Sequence, residues 1–227
     1  MEKIKIDLKK EQLASLARPH YNYSAIARFF FFGMDMLVGK KTTLPKTKLL
    51  EILACIPYRT WEGYQYKRMT FNYSDPQIVQ LAGRIVSWGR EAQDSEYWHL
   101  LAVHEKMKED GVNDPWFLST PIIFLMVMSY VLLTWIVARI NINRAFLFNA
   151  EFEDHAEHIY AEFVADHPEW ENQPVKSNLV RNYKDFQNWA EVFQSIALDE
   201  RDHMNNSFIF CGRPECVVKY EGMPQTP

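Results

Sequence analysis

The chain has 227 residues, 48% hydrophobic and 24% charged, the balance of a folded protein with room for one sizeable domain. Three Cys exclude a disulfide framework and fit a reducing compartment, and eight Gly with eleven Pro leave little room for a turn-rich β sandwich. A net charge of −4 provides no global basic field, so nucleic acid is not an expected partner.

The basic N-terminal segment, 1–45, comes first. Residues 1–48 carry ten Lys/Arg, Lys3, Lys5, Lys40, Lys41, Lys46 and Lys48 among them, against four acids. An aromatic run at 23–38 contains Phe29-Phe30-Phe31-Phe32, but it is too short to span a bilayer and includes Arg28 and Asp35. A basic end beside an aromatic run suits an anionic membrane surface; a solvated basic face is the alternative. Helical spacing follows over 46–67, with Leu49, Leu50, Leu53, Ile56 and Trp61 on the apolar positions and Pro45 near the start. A loop at 71–76 leads to a second helix over 77–108, ended by Asp110-Gly111 and Pro115. Further helices are predicted over 121–140, 143–165 and 182–206, and a Pro/Gly-rich tail from about 208 to 227 reads as loose. Long β-branched alternations are absent, so the class is all-α. Cys211 and Cys216 have no second Cys pair and read as free thiols, not a zinc site.

Two Glu-x-x-His pairs carry the chemistry, Glu96/His99 and Glu200/His203. Residues three apart share one helix face, so each pair offers a carboxylate and an imidazole to the same place. Glu51 precedes the first pair and Glu153 the second, by similar intervals. If consecutive helices pack antiparallel, each lone Glu comes to about the height of its pair, within about 5 Å at 1.5 Å per residue. A Glu from each of two helices plus Glu-x-x-His from each of two others is the signature of a di-iron carboxylate bundle. Four carboxylates and two imidazoles suit Fe or Mn over Zn or Cu. The alternative is an ordinary bundle with solvated Glu and His.

That geometry also bears on the apolar stretch at 122–138, seventeen uncharged residues at the lower edge of a spanning length. A helix running unbroken from Pro121 would put Glu153 about 48 Å from its start, out of register with Glu96. A break near Asn141-Ile142-Asn143 is therefore required, with 122–140 as a crossover helix. A single bilayer crossing would put the two hairpins on opposite sides. The expected arrangement is a helix lying in one leaflet, beside 23–38; a helix buried at an oligomer interface is the alternative.

Four segments carry a resemblance. They are Leu50-Glu51 with Ala54-Cys55-Ile56-Pro57-Tyr58, Ser95-Glu96-Tyr97-Trp98-His99-Leu100-Leu101, Glu153-Asp154-His155-Ala156 with Tyr160, and Asp199-Glu200-Arg201-Asp202-His203. In this order they resemble the alternative oxidases, most closely the plastid terminal oxidase (plastoquinol oxidase) branch. The resemblance implies a ferritin-like four-helix bundle with a di-iron centre, plus one or two apolar membrane-surface helices, as a single domain over 1–227. It implies a quinol oxidase that reduces O2 to water without pumping protons, with plastoquinol or ubiquinol as donor. Its two Fe ions would be held by Glu51, Glu96, His99, Glu153, Glu200 and His203. Tyr160 would be the redox-active or proton-donating tyrosine, and Asp199 would orient a ligand imidazole. The partners implied are quinol, O2 and a lipid surface, with a homodimer left open. Without a targeting peptide, the expected location is a monotopic place on a bacterial or virally encoded protein's cytoplasmic-face membrane, or that of a processed plastid form. The usual Asn before the second Glu is Ser95 here, and an Arg five residues before the first Glu is Lys46, which lacks the planar fork. A di-iron mono-oxygenase or quinone-ring hydroxylase on the same bundle is one rival reading, and a ferritin-like iron-binding or structural bundle is another.

Overall fold

Helices begin where the sequence supplies a capping oxygen. Thr43, Asp75 and Asn188 each accept a backbone N–H from two or three residues on, and Pro45 and Pro76 follow the first two caps, where a missing N–H costs nothing. In the computed structural model, which describes residues 6–224, the fold is all-helical, with no strand among the described residues. Lys3 and Lys5 of the basic segment and the last three residues of the tail lie outside the described residues. The helices are α1 (Leu8–Ala17), α2 (Ala25–Val38), α3 (Leu44–Phe71), α4 (Pro76–Glu109), α5 (Thr120–Ile140), α6 (Ile142–Asp166), α7 (Asn178–Tyr183) and α8 (Trp189–Phe210). They fall into two compact units: a central one, Thr43–Ala145, and a terminal one built from the described parts of Met1–Thr42 and Phe146–Thr226.

In the central unit α3 and α4 run antiparallel. Lys48 reaches His104 at 3.2 Å, Glu51 lies 3.6 Å from His99, and the Tyr58 and Trp88 rings are 5.3 Å apart, so one number falls as the other rises. Close approach depends on Gly89, where a Cβ would sit 3.3 Å from the Tyr58 carbonyl oxygen. Trp61 stacks on Trp88 beside it, both in the core. α5 packs on α3 through one stripe, Tyr130, Thr134 and Ala138, with Thr134 Oγ1 3.3 Å from Thr60 Oγ1. The rest of α5 faces outward: Phe124, Leu125, Met128 and Leu132 are each more than half exposed. α5 is the one helix among the described residues long and apolar enough to cross a membrane, with a mean hydropathy of 2.3 and only 17% of that apolar window buried. It ends at Asn141, whose extended backbone makes the required break.

In the terminal unit α6 and α8 are also antiparallel. Phe146 meets Phe210, Asn149 bonds Ser207, Glu157 bonds Arg201, and Tyr160 stacks on Phe193. α1, absent from the sequence expectation, is held across this pair by polar groups. Gln12 donates to the Ala161 carbonyl and accepts from Gln194, Ser15 donates to Glu157, and the Arg201 guanidinium spans Glu157, Glu11 and Ser15. α2 is tied at its start, where Ser24 donates through both its N–H and its hydroxyl to Glu151. Only Ala27 and Met34 of α2 are buried, while Phe29, Phe32 and Met36 are more than 60% exposed.

Three expectations change. The helix predicted over 182–206 is two helices, because Asn188 caps α8 while Glu191 accepts the Gln187 N–H, a reciprocal cap that stops the helix from extending backward. The tail is tied, with Asn205 exchanging two hydrogen bonds with Val218 and Tyr21 donating to the Cys216 carbonyl. Of the described lysines named in the basic end, Lys46 is buried and Lys48 is paired with Asp114 at 2.7 Å, leaving Lys40 and Lys41 on the surface.

Candidate metal centre

Each unit gathers one of the predicted acid–imidazole sets. In the central unit α3 brings Glu51 level with Glu96 and His99 of α4. All three side chains are at most 2% exposed. His99 Nδ1 stands 3.6 Å from Glu51 Oε2 and 3.4 Å from Glu96 Oε2, and one ligand atom of each residue lies within 4.8 Å of the others. These distances are long for a hydrogen bond but suit neighbouring ligands of one ion, which sit about 3 Å apart when each bond is near 2.1 Å. The other ring nitrogen, Nε2, lies 3.2 Å from Ser95 Oγ one turn back on α4. Ser95 therefore fills the place of the expected Asn, fixing the ring with Nδ1 toward the carboxylates. Burial, with Glu96 and Glu51 nearby, pushes the Cys55 thiol up against the pull of Arg59, so Cys55 stays protonated and offers no thiolate.

In the terminal unit α6 supplies Glu153 and α8 supplies Glu200 and His203, all buried, with one ligand atom of each within 4.8 Å of the others. His203 Nδ1 is 3.3 Å from Glu200 Oε2. Asn149, one turn before Glu153, donates to its Oε1 at 3.0 Å and to Ser207 Oγ at 3.0 Å, positioning the carboxylate between α6 and α8. Tyr160, two turns beyond Glu153, is 1% exposed with its ring 5.9 Å from Phe193. Asp199 accepts from the Tyr183 hydroxyl at 2.6 Å and lies 3.9 Å from Lys184 Nζ, toward the α7 side of α8.

A second acid–imidazole group in the terminal unit escapes sequence reasoning. Asp154, His158 and His20 place ligand atoms within 4.8 Å of one another. Their donors are already engaged, however. His158 Nδ1 and Nε2 lie 2.7 and 2.8 Å from the carbonyl oxygens of Asp154 and Arg18, so both ring nitrogens are occupied. Asp154 accepts from Arg18 and from Tyr23, whose hydroxyl is pushed up by burial and by that carboxylate. This group is an ionic anchor for the chain entering α2. The thiols of Cys211 and Cys216 are free and pack near Phe208 and Met204.

An all-helical protein in which each of two helix pairs buries two carboxylates and an imidazole can hold metal in those places. Carboxylate charge in so dry a setting costs several kcal/mol unless a cation offsets it. The donors are hard to borderline, the set that suits iron or manganese. No protein-family model matches the chain, and no curated protein matches it.

Proposed function

We propose that the two sets together form a di-iron centre in a ferritin-like four-helix bundle of α3, α4, α6 and α8, and that the protein is a membrane-associated quinol oxidase of the alternative oxidase kind. The observation that carries this reading is the repetition. The same three donors recur on two antiparallel helix pairs, Glu51, Glu96 and His99 in one and Glu153, Glu200 and His203 in the other, every one of them buried. A structural bundle has no reason to bury four carboxylates in this pattern.

When bound, the iron pair supplies electron transfer from quinol to O2. Two quinols give up four electrons and four protons, and one O2 takes them to become two waters. The chain's own residues bind, orient and exclude water. Ser95 and Asn149 hold one imidazole and one carboxylate in place. Tyr160, buried two turns beyond Glu153 on α6, carries the phenolic hydroxyl that would lend a proton during reduction. Asp199, one residue before Glu200, would orient a ligand imidazole, as the resemblance implies. The outward apolar faces of α5 and α2 each lie in the lipid surface, from which an apolar quinol is delivered.

Purified protein loaded with Fe(II) should consume O2 when given quinol, in a ratio of two quinols per O2. With 18O2 the label should appear in water. Label in an organic product would move the assignment to a hydroxylase, and iron binding without O2 uptake would reduce the protein to a ferritin-like bundle.

A further inference from the structure

Several cations in this protein are neutralised where they stand. Arg18, Lys48, Arg90, Lys106 and Arg201 each meet a carboxylate within 4.0 Å. One groove in the central unit gathers three that are not. Between α3 and α5 runs a groove of about 400 Å³ lined by Arg59, Tyr64 and Lys67 on one wall and Val131, Trp135 and Arg139 on the other. No acid lines it, and none of its three cations has a carboxylate partner among the described residues. Concentrating three unneutralised charges in one groove opposes folding unless something anionic enters.

We infer that this groove binds the headgroup of an anionic phospholipid. Arg139 lies in the last turn of α5, its guanidinium 4.8 Å from the Trp135 ring and 5.9 Å from the Tyr64 ring. The two rings hold the cation over their faces and leave its N–H edge for a phosphate, which a planar fork binds bidentately. Arg59 and Lys67, two turns apart on α3, bring the second and third charges to the same opening. A neutral quinol would have no use for three cations. A free phosphate would have no use for the wall of Val131 and Trp135, which continues into the outward face of α5 at Leu132 and Ile136. A phospholipid uses both, its phosphate among the cations and its acyl chains along α5, with Trp135 and Tyr64 at the boundary where amphipathic rings settle. The inference rests on the membrane-facing part of the function proposed above and is independent of the metal chemistry.

The test is co-sedimentation of the full chain with phosphatidylcholine vesicles, with and without phosphatidylglycerol, at physiological salt. Wild type should prefer the phosphatidylglycerol vesicles. Arg139→Gln or Arg59→Gln should each weaken that binding by about fivefold, the worth of one cation at a charged surface, while binding to pure phosphatidylcholine stays unchanged. Lys219→Gln, which removes an exposed charge from the terminal unit, should change binding less than about twofold. Equal losses in the Arg139 and Lys219 variants would overturn the site in favour of diffuse attraction. So would equal binding of wild type to both vesicles, or displacement by soluble glycerol phosphate as effective as by lipid, which would make it a free-phosphate site. Failure to bind either vesicle would bring down the membrane-facing reading together with this one, whereas quinol-dependent O2 uptake would still test the oxidase separately.

Discussion

Ser95→Ala removes one hydroxyl and leaves every proposed ligand in place. His99 is fully buried, with Nδ1 turned to Glu51 and Glu96 and Nε2 3.2 Å from Ser95 Oγ. If Nδ1 is the metal side, Nε2–H donates to the serine, fixing both the tautomer and the ring plane. Loss of such an anchor typically lowers metal affinity about 10- to 100-fold, or about 1.4–2.7 kcal/mol. The upper part of that range is expected here because the ring is sealed from any water that would replace the hydroxyl. The assay is anaerobic Fe(II) titration of apoprotein against a competing chelator, with circular dichroism to establish that α4 is intact. Ser95→Asn, the residue the resemblance places there, should recover part of the affinity. An Ala variant that binds iron within about twofold of wild type would refute the assignment of His99 Nδ1 as a ligand atom.

Glu200→Ala takes away a buried carboxylate of the terminal set. The variant should no longer retain a second iron by metal analysis and should show no oxidase turnover, so two tightly held irons would remove Glu200 from the site. Tyr160→Phe should keep fold and iron content but slow turnover at least about tenfold, roughly 1.4 kcal/mol of barrier, in steady-state O2 uptake; unchanged turnover would leave Tyr160 a packing residue. Glu62 is held below its ordinary value of 4.5 by hydrogen bonds from Arg90 and Gln93. Its contribution to α3–α4 stability is therefore present above that value and lost as pH falls through the lowered one. Glu62→Gln should melt slightly below wild type at pH 7, with the gap closing in acid, and a gap that widened in acid would reverse the sign. Phe32→Glu, on the exposed face of α2, should weaken vesicle binding with iron content intact, and should slow oxidation of long-tailed quinol more than of a short-tailed analogue. Equal rates on both would argue against delivery through lipid.

What the sequence made legible follows the strength of its apolar signal. The hairpin α3–α4 could be read to within a few residues because apolar spacing, a capped start and a Gly-Pro stop coincide there. The break at Asn141 was readable from the expected register, in which an unbroken helix from Pro121 would have carried Glu153 too far along. α1 was not readable: its buried face is Glu11, Gln12 and Ser15, and a helix held by hydrogen bonds leaves no hydropathy period. Four consecutive phenylalanines likewise look equivalent in sequence. Phe29 and Phe32 point outward, whereas the Phe31 ring lies 4.1 Å from His155 and Phe30 meets Phe148 and Phe152. Which side a uniform run turns inward depends on tertiary partners, as does the role of Lys46, a cation by sequence and a buried side chain in the fold.

The acids of α6 show why a ligand cannot be chosen by residue type. Within two turns the helix carries Glu151, Glu153, Asp154 and Glu157, all buried and all able to bind iron in principle. Successive residues turn by 100°, so Glu151 and Asp154 fall on one face and Glu153 and Glu157 on another. The first face meets the chain entering α2, where Ser24 takes Glu151, and Arg18 and Tyr23 take Asp154. On the second face Glu157 receives Arg201 at 2.8 Å, Arg18 at 2.6 Å and Ser15 at 2.7 Å, so its charge is met by guanidinium groups. Glu153, one turn earlier, meets an amide from Asn149 and stands among Glu200 and His203. An amide orients a carboxylate without neutralising it. The arginines on α8 and before α2 thus neutralise Asp154 and Glu157, Ser24 occupies Glu151, and Glu153 is left as the carboxylate that could join an imidazole around a metal.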